Sequence, residues 1–189
     1  LPRQSYTYIE PAVASLLDQV DQLAVVLNEY EDIPSILLGE EKLRPLIPSR
    51  NTWDVGKFCV QPPEECLVFL ADDDIVYPAD YCDVLTRAHE ALAPRQTIVG
   101  VHGVIYPEYW DGAVQSRLVM TFNKALEKSM FVNQLGTGTV AFHSSLYPRL
   151  EQMASAARFV DVRFANLAYE RGVPMVCIRR SAGWLKQID

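Results

Sequence analysis

The spacing of apolar residues changes from segment to segment along the chain, which predicts helices and strands in alternation. Apolar residues recur at helical spacing near the start, at Ile9, Val13, Leu16, Leu17 and Val20. Residues 23–27 then form a short, uninterrupted apolar run that is typical of a buried strand. Beyond a proline-rich stretch, the pattern predicts strands at residues 66–71, 97–106, 139–142 and 174–178, and helices at residues 80–93 and after Asp161.

The predicted strands are apolar throughout and do not alternate between apolar and polar residues. Such strands are covered on both faces, as in sheets whose parallel strands are joined by helices. The sequence contains no repeat, low-complexity tract or linker that would divide it. We therefore expect one α/β domain over residues 1–189, with a Rossmann-like, mostly parallel central sheet flanked by helices.

The composition fits one folded domain, because 49% of the 189 residues are hydrophobic and 22% are charged. The 17 basic and 24 acidic residues give a net charge of −7. This charge repels polyanions and disfavours nucleic acid as a partner. No apolar run approaches the roughly 20 residues that a transmembrane helix needs, and association with a membrane surface is left open.

The cysteines lie far apart or within apolar segments, and no CxxC pair indicates a zinc or redox site: Cys59, Cys66, Cys82 and Cys177. We expect buried free thiols, with disulfides as the alternative. Free thiols fit a reducing compartment, so the sequence favours a cytoplasmic protein.

Three adjacent carboxylates, Asp72, Asp73 and Asp74, follow the apolar run at residues 66–71. Open α/β sheets bind their ligands at the carboxyl ends of strands. Like charges this close repel unless a cation or hydrogen bonds offset them, so the cluster predicts a divalent-cation site. The alternative is a solvated turn that the aspartates cap.

Several segments resemble motifs of bacterial GT-A glycosyltransferases, which transfer sugars from nucleotide-sugar donors. Residues 69–81 (FLADDDIVYPADY) are similar to the DxD region of that family. Six other segments are similar to motifs of the family and occur in the same order as in the family: residues 51–58 (NTWDVGKF), 101–106 (VHGVIY), 135–143 (LGTGTVAFH), 161–165 (DVRFA), 172–174 (GVP) and, after Arg179, 183–185 (GWL). Residues 1–3 would correspond to the end of the family's first strand, which implies a truncated strand and a longer polypeptide.

The resemblance implies a donor site with a metal ion. The first aspartate of the DxD region contacts ribose in the family, and the last helps to bind Mn²⁺ or Mg²⁺ across the diphosphate. Asp72 is thereby assigned to the ribose or sugar and Asp74 to the metal. A bridging cation would stabilise the charge that accumulates on the leaving diphosphate. Further donor contacts are implied at Arg3, Asn28, Lys57, Asp73, Gly136 and Gly138.

Some of these residues have ordinary alternatives. Lys57 is either a cation that contacts the nucleotide or a solvated lysine. Gly136 and Gly138 either permit close backbone approach to the donor sugar or make a tight turn. Many family members add a late histidine to the metal, but no histidine follows His143, so carboxylate, diphosphate and water would hold the ion unless a ligand lies beyond residue 189.

Inverting transfer requires a general base that removes the proton of the acceptor hydroxyl. The resemblance assigns this role to Asp161, with an acid of residues 72–74 as its competitor. Asp161 is also a suitable N-cap for the helix that follows, and the two roles are compatible. His102 and His143 follow apolar runs and are candidates either for the acceptor pocket or for structural roles.

The resemblance thus implies a metal-dependent, inverting glycosyltransferase of bacterial surface-polysaccharide synthesis. Its donor would be a nucleotide-diphosphate sugar, with UDP-sugar favoured, and its acceptor a glycan or a lipid-linked molecule. One alternative is a catalytically silent scaffold domain of a multidomain polymerase. Another is a phosphatase of the haloacid-dehalogenase type, which needs its aspartates on the first strand and an acidic pair later in the chain; no such pair follows Glu90.

Overall fold

The computed structural model describes residues 6–92 and 96–188. Helices lie at Tyr6–Leu17 (α1), Tyr81–Glu90 (α2), Leu150–Met153 (α3) and Val160–Glu170 (α4). Strands lie at Leu23–Val26 (β1), Leu43–Leu46 (β2), Leu67–Ala71 (β3), Ile75–Val76 (β4), Ile98–Gly100 (β5), Gly103–Ile105 (β6), Leu118–Met120 (β7), Met130–Val132 (β8), Gln134–Leu135 (β9), Thr139–His143 (β10), Met175–Cys177 (β11) and Lys186–Gln187 (β12). Within the described ranges, no helix combines the length and the apolar character that crossing a membrane requires.

The predicted Rossmann-like, mostly parallel sheet is wrong. In the described part of the chain the strands form four small sheets, and the largest has the order β3-β10-β5-β11-β8. In that sheet β10 is antiparallel to both β3 and β5, β8 is antiparallel to β11, and β5 and β11 are parallel. The parallel pair of β1 and β2 forms a separate sheet. The fold is therefore mixed α/β with small, fragmented sheets.

Apolar strands show that both faces of a sheet are covered, but they do not reveal strand direction. Every residue of β5 and β11 is buried. One face of β10 places Phe142 in a core cluster with Phe164 of α4. The other face places Ala141 in a second cluster with Leu85 of α2. An antiparallel strand that is covered on both faces is as apolar as a parallel one, so the pattern could not predict the direction.

The prediction of three of the helices is confirmed, because α1, α2 and α4 occupy the segments with helical spacing. The single strand predicted at residues 97–106 is two strands, since the chain leaves one sheet after β5 and enters another at β6. The sequence pattern also missed β2, which contains Pro45 and pairs with β1. These short strands carry too few residues to show a period.

Strand direction still brings several carboxyl ends together. Because β10 is antiparallel to β3 and to β5, those two strands run in the same direction, and β11 is parallel to β5. The carboxyl ends of β3, β5 and β11 therefore lie at one edge of the sheet, together with the amino end of β10. Asp72 follows β3 at this edge, His102 follows β5, and Gly138 precedes β10. We call it the Asp72 edge.

Phe142→Ala should lower the free energy of unfolding by about 3–5 kcal/mol, because Phe142 is fully buried on the interior strand β10 and the loss of its ring leaves a cavity. Phe131→Ala is the matched control, since Phe131 on the edge strand β8 is 70% exposed, and it should change that free energy by no more than about 0.5 kcal/mol. Urea unfolding followed by circular dichroism measures both. Equal losses would contradict this position of the core.

Candidate functional site

Four polar side chains form one hydrogen-bonded group at the Asp72 edge. Lys57 donates to Asp72 Oδ1, with which it forms an ion pair, and its Nζ lies 3.3 Å from Thr137 Oγ1. Thr137 donates to Asp161 Oδ1 from its backbone N at 2.8 Å and from Oγ1 at 2.7 Å. The structure thus brings the predicted positions Lys57, Asp72 and Asp161 together through Thr137. We call these four residues the polar cluster.

Each member of the polar cluster comes from a different element. Lys57 lies in a 3₁₀ helix, Trp53–Phe58, which is anchored by Phe58, a fully buried ring that packs against Phe164 of α4. Asp72 directly follows β3, and Thr137 lies in the turn between β9 and β10. Packing of apolar neighbours in the core therefore sets the positions of these polar groups.

Asp161 does not cap α4, so its interpretation as an N-cap is wrong. The helix begins at Val160, and its N-cap is Phe159, which makes no side-chain capping bond. Asp161 lies in the first turn, where the helix dipole favours a carboxylate. Its Oδ1 is occupied by Thr137, while Oδ2 accepts no hydrogen bond from the residues that the structure describes. The two hydrogen bonds from Thr137 thus hold Oδ1 in place.

Gly138 is required by the close approach of Asp72. A Cβ atom at Gly138 would overlap the Asp72 carboxylate. The Tyr77 hydroxyl joins the same two segments, because it donates to the Gly138 carbonyl at 2.7 Å and accepts from the Asp72 backbone N at 2.8 Å. At Gly136, a Cβ would lie 3.2 Å from the Cβ of His102. Both glycines therefore leave room for neighbouring residues of the site.

Sequence reasoning missed the roles of Thr137 and Tyr77. Thr137 lies between Gly136 and Gly138, and the resemblance implies donor contacts for the two glycines but no role for Thr137, although its hydroxyl links Lys57 to Asp161. Tyr77 is only 2% exposed and follows three half-buried acids by a few residues. A large aromatic residue so close to an acidic run is a signal of a buried hydroxyl, which needs a hydrogen-bond partner.

Asn28 reaches the polar cluster through the 3₁₀ helix of Lys57. Its Oδ1 accepts from the backbone N and the hydroxyl of Thr52 at 2.9 and 2.7 Å. Its Nδ2 donates to the carbonyl of Trp53 at 2.8 Å. A Cβ at Gly56 would lie 3.1 Å from this Nδ2. Asn28 therefore holds the start of the helix that presents Lys57.

The remaining arginine and histidine candidates lie outside the polar cluster or outside the described residues. Arg3 lies outside the described residues. Arg180 is 8% exposed and donates to the backbone carbonyls of residues 120, 121 and 178, so it ties strands together, while Arg179 is exposed. His143 ends β10, whose first residue lies at the Asp72 edge, and is therefore about 13 Å from it.

His102 lies next to Gly136 at the Asp72 edge. Burial lowers the pKa of His102 by disfavouring the charged ring, and Asp161 acts in the opposite direction. A histidine with a lowered pKa is predominantly neutral at pH 7. His102 is therefore a neutral hydrogen-bonding group at the Asp72 edge, within range of the charge of Asp161.

Asp74, the last carboxylate of the acidic run, has a perturbed pKa. Its pKa is raised above 3.8, first because burial desolvates the carboxylate and then because Asp72 and Asp73 repel its charge. Lys57 opposes this effect only in part. Asp73 is half-buried and adds to the negative charge. The site therefore has an excess of negative charge around Asp74, which a cation would relieve.

The residues fit a divalent cation only if a ligand shares it. Oxygen donors of carboxylates are those that Mg²⁺ and Mn²⁺ prefer. In residues 6–92 and 96–188, however, no three His, Cys, Asp or Glu side chains converge closely enough to hold a metal ion. Magnesium in phosphate-handling sites is commonly held by one or two carboxylates together with substrate phosphates. This donor set fits that arrangement and does not fit a metal centre built by protein alone.

Asp74→Asn should stabilise the protein at pH 7. Because the pKa of Asp74 is raised in the folded state, the ionised carboxylate lowers the free energy of unfolding, and this penalty vanishes below the ordinary pKa of 3.8. The gain at pH 7 should be roughly 0.5 kcal/mol, since solvent screens a half-buried carboxylate, and it should shrink as the pH falls toward 4.

Urea unfolding between pH 4 and pH 7 measures this gain. Asp83→Asn is the control, because Asp83 is an exposed carboxylate that pairs with Arg87 on α2, and its replacement should give no gain at pH 7. A destabilised Asp74→Asn variant at pH 7 would show that the carboxylate supports the fold.

No family model matches the chain, and no curated protein sequence matches it. A role for the polar cluster and Asp74 therefore depends on their geometry and on the motif resemblance.

Proposed function

We propose that this protein is a metal-dependent, inverting glycosyltransferase. It transfers a sugar from a nucleotide-diphosphate donor, with a UDP-sugar favoured, to a glycan or lipid-linked acceptor. The resemblance of seven ordered segments to bacterial glycosyltransferases motivates the reaction class. The bacterial surface-polysaccharide setting comes from that resemblance alone.

One observation carries the proposal: the polar cluster joins Asp72, Lys57 and Asp161, which are far apart in sequence, at a single edge of the sheet. A transferase of this kind must hold an anionic leaving group beside a group that accepts a proton. Lys57 supplies a positive charge, and Asp161 supplies the proton acceptor. Thr137 lies between the two and contacts both.

The donor side of the reaction is assigned to Asp72, Asp74 and Lys57. When bound, a divalent cation would neutralise the charge that develops on the diphosphate. Asp74 would hold this ion, since burial and the charges of Asp72 and Asp73 raise the pKa of its carboxyl group and a cation would offset both effects. Asp72 is half-buried beside Lys57 and would orient the ribose or sugar hydroxyls.

The acceptor side is assigned to Asp161. Oδ1 is fixed by two hydrogen bonds from Thr137, so Oδ2 is oriented and can accept the proton of an acceptor hydroxyl as its oxygen attacks the anomeric carbon. A positioned general base of this kind contributes about 10²–10⁴-fold to a rate. His102, neutral at pH 7, is a further hydrogen-bonding group for the acceptor.

Calorimetric titration of UDP, with and without Mn²⁺, tests the donor site. We expect the metal to tighten binding at least about tenfold, or 1.4 kcal/mol, and Asp74→Asn to abolish this difference. Metal-independent binding would remove Asp74 from the site. Absence of UDP binding in both conditions would favour the silent scaffold, while release of phosphate from a monoester would favour the phosphatase.

Asp161→Asn should lower turnover about 10²–10⁴-fold, because the amide cannot take up the proton. Its Oδ1 can still accept both hydrogen bonds from Thr137, so the fold and the affinity for UDP with Mn²⁺ should be retained. Asp83→Asn, a matched change on an exposed face of α2, should leave turnover unchanged. A fully active Asp161→Asn enzyme would exclude Asp161 as the base.

A further inference from the structure

Two bulky residues outside the polar cluster have an uncommon backbone conformation. Trp53 has φ of 52° and Arg158 has φ of 69°. Both values lie in the left-handed region, which side chains other than Asn, Asp and His seldom adopt. Strained backbone of this kind persists where the surroundings hold it, and it concentrates at functional sites.

The two strained residues contact one another. The guanidinium carbon of Arg158 lies 4.3 Å from the centroid of the Trp53 ring, which is the geometry of a cation–π interaction. The backbone N of Arg158 also donates to Asp54 Oδ1 at 2.7 Å. These contacts join residues more than 100 positions apart. We call this contact the Trp53–Arg158 clasp.

Side chains of the preceding segments fix the Trp53 backbone. Its N donates to Asn51 Oδ1 and its carbonyl accepts from Asn28 Nδ2, both at 2.8 Å. The strained conformation is therefore held on both sides of Trp53, and it turns the indole toward Arg158. The ring remains half exposed to solvent.

The clasp lies on the same two segments that meet at the polar cluster. Trp53 begins the 3₁₀ helix that carries Lys57 four residues later. Arg158 precedes α4 and stands three residues before Asp161. Thr137 and the clasp therefore both link the two segments, in addition to the core contact between Phe58 and Phe164. Phe164 lies three residues after Asp161, whereas Arg158 lies three residues before it, so the clasp restrains the chain on the other side of Asp161.

We propose that Trp53 and Arg158 are positioning residues that hold Asp161 in a fixed place relative to Lys57. The catalytic meaning of this inference rests on the proposed function. In that reaction the clasp would align the base with the donor, so the clasp acts on the transfer step and leaves donor binding to Asp72, Asp74 and Lys57.

Trp53→Leu and Arg158→Leu test the clasp through kinetics. Each should lower kcat about tenfold to a hundredfold, because small misplacement of a reacting group has effects of this size, while KM for the donor changes less than threefold. Arg158→Lys keeps a cation over the ring and should restore most of the activity. Arg87→Leu removes a cation from an exposed ion pair on α2 and is the control for charge.

Amide hydrogen exchange tests the clasp without any substrate. The Thr137 amide donates to Asp161, so its exchange reports how firmly Asp161 is held. In both leucine variants it should exchange at least tenfold faster than in the wild type. The amide of Phe142 in the interior strand β10 is the internal reference, and its exchange should stay unchanged if global stability is retained.

Several outcomes would overturn the inference: unchanged Thr137 exchange in both leucine variants, faster exchange with an unaltered kcat, or equal loss of activity in Arg158→Lys and Arg158→Leu. If the proposed function is wrong, a different result is expected: the wild type would neither bind UDP nor transfer a sugar. The exchange measurement would still decide whether Trp53 and Arg158 hold Asp161.

Discussion

The antiparallel register of β10 on β3 is the constraint on which the site depends. Thr139 pairs with Ala71, so the residues just outside each strand, Gly138 and Asp72, are brought into direct approach. A shift of one residue would turn the buried side chains of β10 to the opposite faces of the sheet, and the two core clusters that cover it forbid this. The hydrophobic core thereby determines the position of an acidic side chain that it does not contact.

Charge at the Asp72 edge is only partly balanced within the protein. Lys57 pairs with Asp72, whereas Asp74 keeps a raised pKa because burial and its two acidic neighbours disfavour its ionised form. Replacing the Asp74 carboxylate by a neutral group would remove this repulsion. The imbalance is understandable if a cationic ligand, shared with a diphosphate, completes the site.

Besides the core packing of Phe58 on Phe164, two unlike contacts join the segments that carry Lys57 and Asp161. Thr137 uses hydrogen bonds to charged groups, which are strong and directional, and the Trp53–Arg158 contact uses an aromatic face and a guanidinium at the surface. The first is centred on the buried Thr137, and the second lies toward solvent. The strained backbone of Trp53 is held by hydrogen bonds with Asn28 and Asn51, and that of Arg158 by the bond from its backbone N to Asp54.

The sequence by itself determined the local elements and the residue types of the site. Helical spacing defined α1, α2 and α4, and an apolar run ending in three aspartates defined β3 and the Asp72 edge, because both signals come from neighbouring residues. The direction of β10, the split between β5 and β6, and the separation of His143 from His102 were decided by tertiary structure. Strand pairing, the hydroxyl of Thr137 between Lys57 and Asp161, and the contact of Trp53 with Arg158 join residues far apart in the chain, and no local pattern encodes such contacts.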